Sequence, residues 1–245
     1  MAATCTLHLL HTNDIHSHFA NMPRIATCLR LCRQEWEERS EHVLTVDVGD
    51  HLDRMSMISE ASFGQVNVQV MNRSGYQYVT IGNNEGVTLP KEKLDQLYEQ
   101  AAFTVIAGNI REGADGRQPD WSVPCVIHRF PDLKVALLGV TIPYPQSYRS
   151  MGWEVSDPLP LLARQVAELR SRADVIVLLS HLGYQADCRL ATELEGLDVI
   201  LGAHTHHVLE RGTRVGNTLI AQTGRFGQYI GHVRLEWNRE RREIE

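Results

Sequence analysis

Residues 6–18 have the sequence TLHLLHTNDIHSH, a short apolar run that ends in a polar turn. The run over 6–10 has the length and composition of a buried strand. Shortly after it come Asp14 and His16, whose carboxylate and imidazole groups are common ligands of divalent cations. A strand followed at once by such ligands is typical of an α/β sheet, in which functional residues lie just past the strand ends.

The same pattern of a short apolar run followed by a polar or glycine-containing turn recurs along the chain. Further strands are predicted over 43–48, 78–81, 103–107, 135–140, 175–179 and 199–201. Helical periodicity lies between several of them, over 24–39, 90–100 and 158–170. Residues 217–222 and 229–237 predict two β segments that are joined by a glycine-rich turn and close the sheet, and residues 111–124 predict a surface loop. This alternation predicts an α/β fold.

The composition indicates an ordinary globular protein. The 245 residues are 43% hydrophobic and 22% charged, and the formal net charge is -6. Lysines and arginines are scattered among acids, so there is no electrostatic signature of binding to bulk nucleic acid or to an anionic membrane. The N-terminus shows no export signal, and no apolar run approaches the roughly twenty residues that span a bilayer. We therefore expect a soluble, cytoplasmic protein.

The five cysteines are odd in number and are not arranged like a secreted disulfide scaffold, which favours reduced thiols in a cytosol. Cys28 and Cys32 are four residues apart in an apolar stripe at helical spacing. Packing in the core is the favoured interpretation of this pair, and a metal site is the alternative.

Candidate metal ligands follow five of the predicted strands. Asp14, Asp50, Asn83, His181 and His204 lie just past the first, second, third, sixth and seventh strands, and His16 and His206 accompany them. Parallel strands bring their carboxyl ends to one edge, so we expect a shared site. This mixture of oxygen and imidazole ligands favours zinc, manganese or iron over calcium. Two such ions could share one carboxylate, and Asp50 is the candidate for that role.

The chain resembles the calcineurin-like metallophosphoesterases, in particular their 5′-nucleotidase and 2′,3′-cyclic phosphodiesterase branch. The resemblance covers nearly the whole chain and rests on TNDIHSHF at 12–19, DVGD at 47–50, IGN at 81–83, SHLG at 180–183, GAHTH at 202–206 and QTGRFGQYIG at 222–231. It implies a four-layer α/β/β/α sandwich. It also implies one ion bound by Asp14, His16, Asp50 and His206, and a second ion bound by Asp50, Asn83, His181 and His204.

The activity that the resemblance implies is hydrolysis of phosphate esters or anhydrides, with nucleotides as the expected substrates, by in-line attack of a metal-bridging hydroxide. Members of this branch commonly carry a C-terminal domain whose aromatic side chains sandwich the nucleobase. This chain stops at Glu245. We therefore predict that residues 1–245 form a single catalytic domain, either a piece of a longer protein or a natural single-domain protein, without that second domain.

One motif departs from the family pattern. Family members usually continue Gly-Asn-His-Glu-x-Asp, and the histidine, oriented by the aspartate, protonates the leaving group or stabilises the transition state. Here Asn84 and Val87 occupy the histidine and aspartate positions. An amide can donate a hydrogen bond to a phosphoryl oxygen but cannot supply a proton, which favours substrates with good leaving groups. The alternative is a metal- and phosphate-binding protein whose catalysis is lost or much reduced.

Three further residues are candidates for the site. His51, directly after Asp50, and His18, two residues after His16, are the histidines that could replace the missing acid. The alternatives are a loop residue for His51 and a hydrogen bond behind a metal ligand for His18. Arg54 could bind a substrate phosphate, and a salt bridge to Asp53 or Glu85 is its alternative.

Overall fold

The computed structural model describes residues 4–245, which alternate between strands and helices. The strands are β1 Thr4–Thr12, β2 His42–Asp47, β3 Tyr78–Val79, β4 Thr104–Val105, β5 Ile110–Glu112, β6 Cys125–Arg129, β7 Lys134–Thr141, β8 Trp153–Val155, β9 Val175–His181, β10 Val199–Gly202, β11 Thr213–Val215, β12 Thr218–Ala221, β13 Gly231–Asn238 and β14 Glu243–Ile244. The helices are α1 Met22–Glu38, α2 Met57–Ser62, α3 Gln65–Ser74, α4 Asn83–Thr88, α5 Lys91–Leu97, α6 Pro145–Ser150, α7 Pro158–Leu169 and α8 Tyr184–Glu193. A single 3-10 turn, Phe19–Asn21, precedes α1.

Most strands belong to two large mixed sheets. The first sheet has the order β14-β13-β1-β2-β3-β4, in which β1 to β4 are parallel and β13 runs antiparallel to β1. The second has the order β11-β12-β10-β9-β7-β6, with four parallel strands between two antiparallel edge strands. Strands β5 and β8 form a small separate pair. The parallel strands of both sheets end near the candidate ligands.

The core has the three apolar interfaces that a four-layer sandwich requires. Between the sheets, Leu7, Leu9 and Leu44 of the first pack with Val135 and Val177 of the second. The outer face of the first sheet is covered by α1 and α3, and the outer face of the second by α7 and α8. The expected α/β/β/α architecture is therefore confirmed.

The predicted strands are present, and the structure corrects how the last segments are connected. Residues 217–222 and 229–237 do form β12 and β13, but these strands belong to different sheets. Strand β12 pairs with β10, whereas β13 pairs with β1 from Thr4↔Asn238 to His11↔Gly231. The glycine-rich segment between them therefore crosses from one sheet to the other and is not a hairpin turn.

Two smaller predictions can also be compared with the structure. In α1, the Sγ atoms of Cys28 and Cys32 are 3.9 Å apart; Cys32 packs against the core and Cys28 is exposed. The predicted loop over 111–124 begins in the short strand β5 and is otherwise irregular. In the part of the chain that the structure describes, no helix has both the length and the apolar character needed to cross a bilayer.

Candidate metal centre

The candidate ligands come from the ends of strands in both sheets. Asp14 follows β1 and Asp50 follows β2 in the first sheet, while His181 ends β9 and His204 and His206 follow β10 in the second. Asn83 is the first residue of α4. Because the two sheets pack face to face, the edges that carry these residues meet. Six of the side chains form two groups of three.

The first group consists of Asp14, His16 and His206. The Nε2 atoms of His16 and His206 are 3.3 Å apart, and they lie 3.7 and 3.3 Å from Oδ1 of Asp14. Three potential ligand atoms thus face one another. Each atom can donate a lone pair to a divalent cation when Nε2 of the two imidazoles carries no proton.

The second group consists of Asp50, His181 and His204 and adjoins the first. Nε2 of His181 lies 3.4 Å from Oδ2 of Asp50, and that same oxygen lies 3.9 Å from Nε2 of His16. Asp50 therefore stands between the two groups, in the position of a shared ligand. The two groups contain six of the seven ligands that the family resemblance implies, and the assignment of these residues to two ions stays a prediction.

Several of these ligand atoms are buried and lack any hydrogen-bond partner among residues 4–245, namely Oδ1 of Asp14, Oδ1 of Asn83 and Nε2 of His181. A buried polar atom without a partner costs about 1–3 kcal/mol. Three of them where the strand ends of the two sheets meet are explained if cations satisfy them. The residues present therefore fit a centre of two divalent ions. Asn83 follows Gly82, where an added Cβ atom would overlap with Asp50 and His181, so Asn83 lies beside the second group.

Hydrogen bonds around the ligands hold them in the form that binds metal. Nδ1 of His181 donates to the carbonyl oxygen of Val48 at 2.7 Å, which leaves Nε2 as the atom that faces Asp50. Oδ2 of Asp14 accepts from Nδ2 of Asn13 at 2.6 Å and from the backbone of His204 at 3.0 Å, so only Oδ1 remains free. Hydrogen bonds of this kind, from groups that do not themselves bind the metal, fix the tautomer and orientation of the ligand side chains.

Two acids that the sequence did not single out support this arrangement. Oδ2 of Asp53 lies 3.2 Å from Nδ1 of His16, the nitrogen that faces away from the first group. The buried Glu85 carboxylate accepts from the backbone N–H groups of Asp50, Leu52 and Gly82 at 2.8–3.1 Å, which ties the β2 loop to the start of α4. Burial raises the pKa of Glu85 to about 7. For Glu85, the GNNE motif at 82–85 is the one feature of the sequence that could have indicated this role.

The backbone at the centre is held in a conformation that side chains rarely adopt. Five of the seven candidate ligands have positive φ: Asp14 (51°), His16 (47°), Asp50 (52°), His204 (72°) and His206 (56°). Residues other than glycine in this left-handed region cost of order 1–3 kcal/mol each and cluster at functional sites. The surrounding packing must supply that energy, and the strained turns aim the side chains at one another.

Close backbone contact between two loops accounts for a pair of glycines, Gly49 and Gly82. Gly49 has φ of 89°, and a Cβ atom there would overlap with the backbone of Gly82. A Cβ atom on Gly82 would overlap with the Asp50 carboxylate. Only glycine permits this approach, which brings Asp50 and Asn83 to the same centre.

The electrostatics favour cation binding. Burial opposes ionisation of Asp14 and Asp50, but the neighbouring histidines outweigh it and lower the pKa of both carboxyl groups. Burial likewise opposes protonation of His181, yet the charge of Asp50 raises the pKa of His181 to about 10, so a cation that binds at Nε2 would displace a proton from it. The two carboxylates therefore stay anionic at neutral pH and attract divalent cations.

Asn84 lies at the edge of the centre, where its amide contacts the shared ligand. Nδ2 of Asn84 donates to Oδ2 of Asp50 at 2.8 Å and lies 3.5 Å from Nδ1 of His16. Val87 is half-buried and packs against the apolar core below α4. The positions of the usual histidine and aspartate therefore hold a hydrogen-bond donor and an apolar side chain, and neither can transfer a proton.

In the structure, His51 and Arg54 have partners outside the two groups of ligands, and their roles in catalysis and in phosphate binding stay predictions. The His51 ring is buried, contacts Asn67 of α3 and lies edge-on to Tyr76; burial lowers the pKa of His51 to about 3. His51 is only 2% exposed. The Arg54 guanidinium is ion-paired with Glu60 and donates to the carbonyl of Thr88, so its partner is neither Asp53 nor Glu85.

His18 lies at the rim of the centre. Its ring is exposed and stacks on Phe226 with centroids 3.7 Å apart, and Phe226 in turn contacts the His16 ring edge-on at 5.9 Å. Nδ1 of His18 lies 3.1–3.2 Å from the backbone oxygens of His16 and Ile15. Nδ1 therefore contacts the backbone, and a catalytic role for His18 stays a prediction.

Tyr144, which the sequence did not indicate, contacts a ligand of the second group. Its hydroxyl group lies 3.1 Å from Nε2 of His204, so Nδ1 is the ring nitrogen of His204 that remains for a cation. Tyr144 lies between β7 and α6 and is 40% exposed, so it is part of the opening of the site.

Comparison with known proteins places these observations in a family. The sequence profile of the calcineurin-like phosphoesterases matches residues 7–208. The chain is 43% identical to the uncharacterized metallophosphoesterase YunD of Bacillus subtilis, over 97% of this chain and 52% of that protein. It is 25% identical to the snake venom 5′-nucleotidase of Naja atra, over 95% of this chain and 50% of that protein.

Among solved structures, a 5′-nucleotidase precursor from Thermus thermophilus matches with a TM-score of 0.82 at 23% identity, covering 98% of this chain and 53% of that one. This likeness shows the shared fold. The chain spans about half the length of each of these three proteins.

Proposed function

The chain belongs to the calcineurin-like phosphoesterase family, and we propose that it hydrolyses phosphate esters or anhydrides, with nucleotides as substrates, at a centre of two divalent cations of manganese, zinc or iron. The observation that carries the proposal is the convergence of buried carboxylate, amide and imidazole atoms that lack other partners. The names of the Naja atra and Thermus thermophilus relatives support nucleotides as the substrate class.

We also propose that residues 1–245 act as one catalytic domain on small molecules, with no role in binding bulk nucleic acid or membranes. The scattered charge supports this. The five cysteines are free, which supports a reducing compartment such as the cytoplasm.

Asp14, His16, Asp50 and His206 would hold one cation, and Asp50, Asn83, His181 and His204 the other. Such a pair lowers the pKa of water toward neutrality and stabilises negative charge on phosphoryl oxygens. The protein holds its ligands in place beforehand: Val48 fixes the His181 tautomer, and Asn13 orients Asp14. This preorganisation means that the ligands need not rearrange when substrate binds.

The amide of Asn84 supplies the remaining polar contact. Its Nδ2 group is half-buried beside Asp50 and can turn to donate a hydrogen bond to a phosphoryl oxygen, but it has no proton to give to a leaving group. General-acid catalysis contributes typically about 10²–10⁴ in rate. Phosphoanhydrides and aryl esters, whose leaving groups need little protonation, should therefore be hydrolysed better than alkyl monoesters.

The same observation favours a second candidate function. With Asn84 hydrogen-bonded to Asp50 and Val87 in the apolar core, the centre could bind metal and phosphate without turnover. The two functions share the ligands and differ only in catalysis, so an activity measurement separates them.

The test is hydrolysis by manganese-loaded protein of an aryl phosphate, an aryl diester, a nucleoside monophosphate and a nucleoside diphosphate. We expect turnover that is fastest with the aryl ester and the anhydride. Absence of turnover with all four would leave the binding function and reject the hydrolase.

The metal assignment has its own test. Asp50→Ala should lose both cations in a metal analysis, because it removes the shared carboxylate. Asp115→Ala, in the exposed loop after β5, is the matched control and should keep both. Retention of two cations by Asp50→Ala would overturn the ligand assignment.

A further inference from the structure

A thiol, an imidazole and a carboxylate lie together at the end of the sandwich opposite the metal centre. They belong to Cys5, His42 and Asp132, whose ligand atoms all lie within 4.8 Å of one another. Cys5 is the second residue of β1 and His42 is the first of β2, whereas Asp14 and Asp50 follow the other ends of these strands. The length of β2, about 20 Å, therefore separates this cluster from the metal centre.

Both sheets contribute to the cluster. Side chains alternate along a strand, which places Cys5 and His42 on the face of the first sheet that also carries Leu7 and Leu44 and packs against the second sheet. Asp132 lies in the turn between β6 and β7 of the second sheet. A ligand bound by all three side chains would thus join the two sheets.

The three side chains are held close to one another and are accessible. Nε2 of His42 lies 2.5 Å from Oδ1 of Asp132, and these side chains are 13% and 26% exposed. Oδ2 of Asp132 accepts from Arg239, so Oδ1 is the oxygen that faces the imidazole. Burial raises the pKa of the Cys5 thiol, and a hydrogen bond from Arg239 opposes this shift. Arg239 therefore orients the carboxylate and favours the thiolate, as residues behind metal ligands do.

We propose that Cys5, His42 and Asp132 bind a zinc ion, with water as the fourth ligand, at a site that is independent of the catalytic activity proposed above. Zinc accepts thiolate, imidazole and carboxylate ligands, and a thiolate selects against magnesium and calcium. Binding displaces the thiol proton and the proton shared by His42 and Asp132. Around a tetrahedral zinc with bonds of about 2.0–2.3 Å, ligand atoms are about 3–4 Å apart, so Oδ1 must move by about 1 Å. The exposed turn at Asp132 allows that movement.

Cobalt(II) is a selective probe of this cluster, because a cobalt–thiolate bond gives an ultraviolet charge-transfer band and none of the seven candidate ligands of the metal centre contains sulfur. We expect the reduced protein to show this band at one cobalt ion per chain. Asp50→Ala should keep the band and Cys5→Ser should lose it. Cys32→Ser is the matched control, because Cys32 is also half-buried and has the Sγ atom of Cys28 3.9 Å away. It should keep the band.

Two variants retain the thiol and remove another ligand. His42→Gln and Asp132→Asn should weaken the cobalt affinity that the band reports by about 100-fold or more, since even loss of an outer partner costs about 10–100-fold. Circular dichroism shows whether each variant is folded. Unchanged affinity in both variants would overturn the inference.

Alkylation tests the unsubstituted protein directly. Zinc at about ten times its dissociation constant should slow the reaction of Cys5 with iodoacetamide about tenfold, measured by mass spectrometry of peptides. Cys188, in α8, belongs to none of the ligand clusters within residues 4–245 and should react at its original rate. Reaction of Cys5 at the same rate with and without zinc would overturn the inference.

The cobalt spectra can also reject the site. A protein without a thiolate band has no cobalt at Cys5, and a band that persists in Cys5→Ser comes from another cysteine. Loss of the band in Cys32→Ser would assign it to the cysteine pair of α1. Each of these three outcomes refutes the proposal.

Discussion

Asp53→Asn tests whether an outer carboxylate controls one of the two metal sites. Oδ2 of Asp53 lies 3.2 Å from Nδ1 of His16, and its Oδ1 accepts from the backbone of Met55 at 2.8 Å. Asparagine can keep the contact to Met55 with its own oxygen. Its amide nitrogen then faces His16, which favours the tautomer with a proton on Nε2, the atom that faces Asp14 and His206.

The size of the effect follows from this single contact. Loss of an outer partner of a metal-bound histidine typically costs about 10–100-fold in metal affinity, or about 1.4–2.8 kcal/mol. The Asp53 side chain is 25% exposed, so water partly replaces the lost contact. We therefore expect the lower end, about tenfold, for the cation held by the first group. The second group does not touch Asp53, and its affinity should stay the same.

The measurement is competition between the protein and a chelator for zinc and for manganese, which resolves two affinities. Asp115→Asn, an exposed acid paired with Arg117, is the matched control. Two affinities that both stay at their original values in Asp53→Asn would refute the role of Asp53. Equal weakening of both would show a general disturbance of the fold instead.

Three further substitutions probe other parts of the structure. Burial raises the pKa of Asp187 from 3.8 to about 7, although a hydrogen bond from Ser180 opposes this shift. Because the pKa of this carboxyl group is higher in the folded protein than in the unfolded chain, the free energy of unfolding falls as the pH rises between these two pKa values. Asp187→Asn should therefore be more stable than the original protein by up to about 4 kcal/mol at about pH 8 and equally stable at about pH 4, in urea denaturation; a difference that does not vary with pH would contradict this. Asn84→His should raise kcat for alkyl phosphates more than for aryl phosphates if leaving-group protonation limits the rate, and an equal effect on both would exclude that role. Gly82→Ala should reduce metal content, because its Cβ atom would displace the Asp50 carboxylate, and unchanged metal content would show that the loop can relax.

The strands and most candidate ligands were predictable because each signal is local. An apolar run such as 175–179 predicts a buried strand, and the ligand that follows it, here His181, lies at the strand end whatever the rest of the chain does. The order of the motifs then indicated the family. The α/β/β/α layers followed from that resemblance and not from the periodicity of the strands.

Contacts between distant segments were not predictable from the sequence. Asp53 is one acid among many, and only the folded loop shows that it reaches His16. His51 follows Asp50 directly, but the left-handed backbone at Asp50 is not visible in the sequence, and the ring packs against Asn67 instead. Tyr144 reaches His204 across sixty positions. Likewise, nothing local distinguishes a hairpin from the crossing between β12 and β13.

The pairing of β1 with β13 has a consequence for how the protein is made. Strand β1 leaves the ribosome long before its partner on one side, since Thr4 pairs with Asn238, 234 residues further along the chain. Until β13 arrives, β1 is an open edge with unpaired backbone groups, the kind of edge that templates aggregation. Contacts this distant in sequence also slow folding. The first sheet can be completed only after β13 has been synthesised, so until then the nascent chain needs a chaperone or other contacts to protect that edge.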